Sequence, residues 1–247
     1  MKTTILFDLD GTLLPLDHRI FYKEYFRLIK DEMAHVLPEE DLETLIMGAT
    51  GSMMDDLTGE SRNDWSFRRE FSRLSGIREE LDEVLDAFRR FYRGSFNDMA
   101  ELVRPADEVA EVLDLSGSKG YDLVLATNAI FPMEAIEARL SWIGVSSSIF
   151  SLVTSYEKMR FCKPHREYYM EILRILGRRG SECVMVGNDV QEDMVAKTTG
   201  METFLLEPYL IDRGHPNYVP DHRGDYKDLL RYVESLPHLM GDEDLGG

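Results

Sequence analysis

The sequence predicts an α/β protein, a Rossmann-like doubly wound parallel sheet with an all-helical cap inserted into it. Two observations carry that prediction. Short β-rich runs at 4–9, 123–126, 149–153, 183–186 and 203–206 alternate with helical patterns at about 106–115, 132–141, 165–177 and 190–199, as βαβ units require. Residues 17–100 contain no convincing strand and repeat apolar residues at helical spacing. The expected division is a core of 1–16 and 101–247 with a cap of 17–100.

Each element has its own local reason. The first run, TILFDL, ends just before Gly11, which suits a buried parallel strand running into a turn. Within the cap segment, Phe21, Tyr25, Leu28, Ile29, Met33 and Val36 fit a 3.6-residue period, as do Leu81, Val84, Phe88 and Tyr92. Shorter helices are expected at 39–47 and 63–74, joined by a Gly48–Gly59 loop whose glycines would allow approach to a ligand. Met53 and Met54, among thirteen methionines, read as core filler, and Lys23 and Lys30 fall on a solvated helical face. The tail 241–247, GDEDLGG, is expected to fray.

Composition narrows the function classes. Of 247 residues, 46 are acidic and 28 basic, a formal charge of -18, which disfavours nucleic-acid backbones and anionic membranes as partners. Two cysteines, Cys162 and Cys183, make neither a disulfide framework nor a zinc set, and a reducing cytoplasm is the expected location. Acidic residues interrupt the N-terminal apolar run at Asp8 and Asp10, and no apolar stretch is long enough to span a membrane.

The chemistry is concentrated where strands should end, because ligands of doubly wound sheets sit at the carboxyl ends of the strands. Asp8 and Asp10 follow the first strand and face one way; their repulsion calls for a metal or a shared proton. Thr127 and Asn128 follow DLVLA and could bind an anionic oxygen or cap the next helix. Lys163 precedes Pro164 at the start of a helical pattern. Asp189 and Asp193, after ECVMV, stand four apart and can face one site, and oxygen-only donors suit magnesium.

These four stations, in order, resemble the haloacid dehalogenase-like superfamily of hydrolases, with the helical segment in the place of that family's inserted cap. One departure is Gly187-Asn188-Asp189 where members often carry Gly-Asp-Ser. The resemblance implies that Asp8 is a nucleophile forming an aspartyl phosphate, and that Asp10 is an acid and base. It also implies that Thr127 and the Asn128 amide hold phosphoryl oxygens while Lys163 offsets charge. Magnesium would be held by Asp8, the Asp10 carbonyl and Asp189, with Asp193 as ligand or support. The implied activity is hydrolysis of a small soluble phosphorylated metabolite. Phosphomutase and haloacid dehalogenase chemistry are the alternatives within the superfamily, and a non-catalytic phosphoacceptor or binding module is a distant one. Asp10 and the acids at 189 and 193 favour phosphorus over halide chemistry, since halide displacement from carbon needs neither leaving-group protonation nor a metal.

Overall fold

The computed structural model describes residues 1–37 and 41–239. The expected frayed tail at 241–247 and the start of the helix expected at 39–47 lie outside the described residues. Six strands form one sheet: β1 (Thr4–Phe7), β2 (Asp122–Leu125), β3 (Leu152–Val153), β4 (Cys183–Gly187), β5 (Glu202–Leu206) and β6 (His222–Gly224). The order is β3-β2-β1-β4-β5-β6, and every pairing is parallel.

Alternation along the strands feeds two cores, one on each face. Ile5 and Phe7 of β1 join Leu123, Leu125, Val184 and Val186 on one side. There they meet α5 (Asp107–Ser118), α6 (Met133–Ser141) and α8 (Tyr226–Ser235). Leu6, Val124 and Met185 point the other way, onto α7 (Arg166–Leu176) and the 3-10 helix Met194–Thr199. Burial on both faces is why the strands read as continuous apolar runs.

Between β1 and α5 lie α1 (His18–Met33), α2 (Leu42–Met54), α3 (Asn63–Ser75), α4 (Leu81–Arg93) and a 3-10 helix at Ser95–Leu102, with no strand among the described residues. Asp17 caps α1 by accepting from the amides of Arg19 and Ile20. The inner faces of α1 and α4 meet the 3-10 helix in an aromatic cluster around Phe96, whose ring lies 5.0–6.3 Å from those of Phe21, Tyr25, Phe91, Tyr92 and Trp142. No helix among the described residues is long and apolar enough to cross a membrane.

Three sequence expectations are corrected. The Gly48–Gly59 loop is helical through Met54, because Leu42, Leu45, Ile46, Ala49 and Met53 sustain one buried helical stripe. Gly48 serves close packing against α3: a Cβ there would lie 3.0 Å from the Leu74 side chain. The helix expected at 190–199 is a set of turns to Asp193 and then the 3-10 helix, since Asp189 spends its carboxylate on the amides of Gln191 and Glu192. A sixth strand, β6, extends the sheet beyond β5. His-Arg-Gly has no β-branched residue, so only its parallel pairing with Phe204, Leu205 and Leu206 of β5 marks it as a strand.

Phe96 is fully buried at the meeting point of the inserted helices and α6. Phe96→Ala is expected to cost about 3–5 kcal/mol of unfolding free energy, read from urea denaturation. A loss below about 1 kcal/mol would show that the aromatic cluster is not a structural centre.

Candidate active site

Parallel register brings the candidate residues to one edge. Phe7 pairs with Leu125 on β2 and with Val186 on β4, so Asp8, Ala126-Thr127 and Gly187-Asn188 leave the sheet side by side. The Asp8 amide donates to Val186 O at 2.9 Å and the Ala126 amide to Phe7 O at 2.7 Å, which fixes these ends. Gly11 turns the chain at φ +86°, and a side chain there would strike Asn188, its Cβ 2.3 Å from Nδ2. Thr12 Oγ1 donates to Asn188 Oδ1 at 3.1 Å and Asn188 Nδ2 to Tyr209 O at 2.7 Å. The residue that departs from the family's Gly-Asp-Ser therefore ties the β4 loop to the β1 loop.

Lys163 is the electrostatic centre. Its ammonium, 1% exposed, lies 2.7 Å from Asp8 Oδ1 and 2.6 Å from Asp193 Oδ1. Burial pushes the Asp8 and Asp193 carboxyls up, against the downward pull of Lys163. Burial pulls the ammonium down, but the two carboxylates outweigh it and hold Lys163 well above its usual range. Asp193 also accepts from the Asp189 amide at 2.9 Å through Oδ2, and Gly187 leaves room for it, since a Cβ there would lie 2.1 Å from that oxygen. Both Asp193 oxygens are thereby committed to the protein.

The other members are clamped around this pair. Asn128 accepts from the Lys163 amide at 3.1 Å and donates to Glu192 Oε2 at 3.1 Å, so its side chain staples the three loops together. Tyr168 on α7 donates to Thr127 O at 2.7 Å, holding the end of β2, and its neighbour Tyr169 donates to Glu192 O at 2.7 Å. Asp8, Asp10, Thr127, Asn128, Asp189 and Asp193 all line one cavity of about 540 Å³, with Lys163 beneath them.

Two arginines escaped the sequence reading. Arg139, fully buried on α6, pairs with Asp10 Oδ2 and lies over the Phe131 ring at 4.5 Å. Its signal was an arginine on the buried face of an amphipathic helix, between Ile136 and Leu140. Arg213 reaches both Asp189 oxygens, at 2.8 and 2.6 Å, from an irregular segment with no periodicity to announce it.

Whether these residues fit a hard divalent cation turns on which oxygens remain uncommitted. Among the described residues, no group of three or more His, Cys, Asp or Glu side chains forms a metal cage. Of the four expected acids, Asp193 has both oxygens hydrogen-bonded within the protein, to Lys163 and to the Asp189 amide. The remaining donors do suit magnesium, being oxygen only, from residues Asp8, Asp10 and Asp189 that line one cavity. Asp189 faces the same cavity while paired to Arg213, so a metal there would replace one cation by another.

A doubly wound sheet with acids and a buried lysine at its carboxyl edge places this chain among α/β enzymes that work at a strand-end site. The chain belongs to the haloacid dehalogenase-like hydrolases, whose family pattern matches residues 5–206. Pyrophosphatase PpaX of Bacillus velezensis is 27% identical over 242 residues, covering 97% of this chain and 96% of that protein. Among solved structures, the 2-haloacid dehalogenase of Pseudomonas syringae pv. Tomato matches with a TM-score of 0.66 at 21% identity, covering 95% of this chain and 98% of that one. The hydrolase YfnB of Bacillus subtilis, bound to magnesium, matches at 0.57 and 19% identity over 94% and 98% of the two chains. Likeness at these structural identities speaks for the fold alone.

Lys163→Met would leave Asp8 and Asp193 buried without their cation. Carboxyls whose folded-state pKa lies above the ordinary value favour folding in acid and oppose it as pH climbs through that raised value. The variant is expected to lose about 3–5 kcal/mol at pH 7 and progressively less as pH falls toward the ordinary carboxylate value of 3.8, measured by denaturation across pH. A deficit that is constant or grows on acidification would contradict the assignment.

Proposed function

We propose that the chain is a magnesium-dependent phosphomonoester hydrolase that acts on a small phosphorylated metabolite through an aspartyl phosphate, with 17–100 as its cap. The observation that carries this reading is the Asp8 carboxylate, held 2.7 Å from buried Lys163 at the end of the central strand, with Asp10 two residues on in the same cavity. A carboxylate so placed is oriented by its cation, and its second oxygen remains available for attack.

In the first step an Asp8 oxygen forms a bond to phosphorus as the ester P–O bond breaks. The leaving alkoxide takes a proton from Asp10. In the second step Asp10 accepts a proton from water, whose oxygen attacks the same phosphorus; the bond to Asp8 breaks and inorganic phosphate leaves. Arg139 holds one Asp10 oxygen, which leaves Oδ1 as the atom that carries the proton. Thr127 and the Asn128 amide would bind phosphoryl oxygens, and Lys163 balances the charge of the nucleophile. Asp8, the Asp10 carbonyl and Asp189 are the groups that would hold magnesium, whose charge offsets that of the phosphoryl oxygens.

Halide displacement from carbon has no use for an acid at position 10, so the Asp10–Arg139 pair favours phosphorus chemistry. The inserted helices support the cap assignment because they supply much of the cavity wall, including Tyr22, Ile46, Phe67 and Phe88. Asp8→Asn is expected to abolish phosphate release while leaving the far-ultraviolet circular dichroism and the unfolding midpoint near wild type. Chelation is expected to remove activity and added magnesium to restore it. Wild-type turnover by the variant would eliminate Asp8 as nucleophile, and full activity in excess chelator would eliminate the metal.

A further inference from the structure

The cavity has two ends of opposite character. At the strand edge stand the carboxylates, Lys163 and Arg213; facing them, the helices between β1 and α5 contribute mostly ring and hydrocarbon. Phe26 and Tyr22 come from α1, Phe67 from α3, and Leu85 and Phe88 from α4. The tyrosines of this wall offer little polarity where they are paired: Tyr25 and Tyr92 hydrogen-bond each other at 2.9 Å, so their rings remain to contact an occupant. Tyr22 keeps 38% of its surface accessible and lines the cavity.

Cations are scarce on this wall. Apart from His18, Arg89 is its one basic side chain among the described residues, and its guanidinium is paired with Asp86 on its own helix. Glu43 adds a negative charge. A second phosphoryl or a carboxylate placed among these rings would lose hydration with only His18 and Arg89, the latter already shared with Asp86, to offset it, which is costly. A flat apolar group would instead gain edge and face contacts with several rings. The volume of about 540 Å³ is ample for a phosphate and a ring system together.

We infer that this cavity selects phosphate monoesters whose alcohol part is aromatic or similarly flat and apolar, with Phe26, Phe67, Leu85 and Phe88 as the specificity surface. The inference rests on the phosphatase reading and names its substrate class. It separates this chain from hydrolases of pyrophosphate, whose leaving group is itself an anion.

The test compares three alkyl phosphate monoesters, whose alkoxide leaving groups are of similar intrinsic reactivity, with pyrophosphate, an anhydride that carries a better leaving group. With magnesium present, kcat/KM is measured for 2-phenylethyl phosphate, glycerol 3-phosphate, phosphoglycolate and pyrophosphate. The phenylethyl ester is expected to exceed each of the others by on the order of tenfold or more. Leu85→Arg is expected to lower the ratio of phenylethyl phosphate to phosphoglycolate by a similar factor, chiefly through KM for the aromatic ester. If pyrophosphate or phosphoglycolate equals or exceeds the phenylethyl ester, the substrate class is wrong while the phosphatase reading stands. A ratio unchanged in folded Leu85→Arg would overturn the assignment of the wall. If no compound releases phosphate from folded protein with magnesium, the phosphatase reading falls and takes this inference with it.

Discussion

The buried ammonium of Lys163 is the constraint on which the strand edge depends. Asp8 and Asp193 are almost wholly withdrawn from water, and two like charges so placed would repel and remain unsolvated without a cation between them. One lysine joins the loop after β1 to the turn after β4 from a segment leading into α7. Its backbone is fixed in turn by Asn128, which belongs to the loop after β2. Four crossover connections therefore meet around one lysine, and the loops are positioned by an interaction that the proposed chemistry also uses.

The two cores explain how this meeting point is held steady. Strand alternation sends Ile5 and Phe7 to one helical layer and Leu6 to the other, leaving Asp8 as the first residue beyond a strand packed on both sides. Tyr168 and Tyr169 extend from the second layer, their rings in the core and their hydroxyls on main-chain oxygens of the edge. Such side chains convert apolar packing into precise placement of a polar loop.

Much of this edge was legible in the sequence because hydrophobic runs mark strands and the acids follow them directly. Asp8, Asp10, Thr127, Lys163, Asp189 and Asp193 are local in that sense, each within a few residues of a strand or a helix start. What escaped was decided by tertiary contact. Arg139 and Arg213 acquire meaning only when α6 and the segment after β5 fold back onto Asp10 and Asp189. Gly48 resembled a loop residue because its use, a close approach to Leu74, lies in another helix. β6 escaped for the same reason, being a strand through its neighbour more than through its residues.

Asn63 has a mechanical consequence. The two connections between the sheet and the inserted helices run together, the Arg104 amide donating to Pro15 O at 3.2 Å, so alone they would act as a single hinge line. At the start of α3, Asn63 Nδ2 donates to Ala129 O and Phe161 O and contacts Cys162 Sγ, while the amides of Asn63 and Asp64 donate to Met159 O and Tyr156 O at 2.9 Å. A body joined along one line keeps a rotation about it; a further attachment off that line removes it. The inserted helices thus lack a free degree of freedom in this structure, and rotation about the hinge requires all of these bonds to part together.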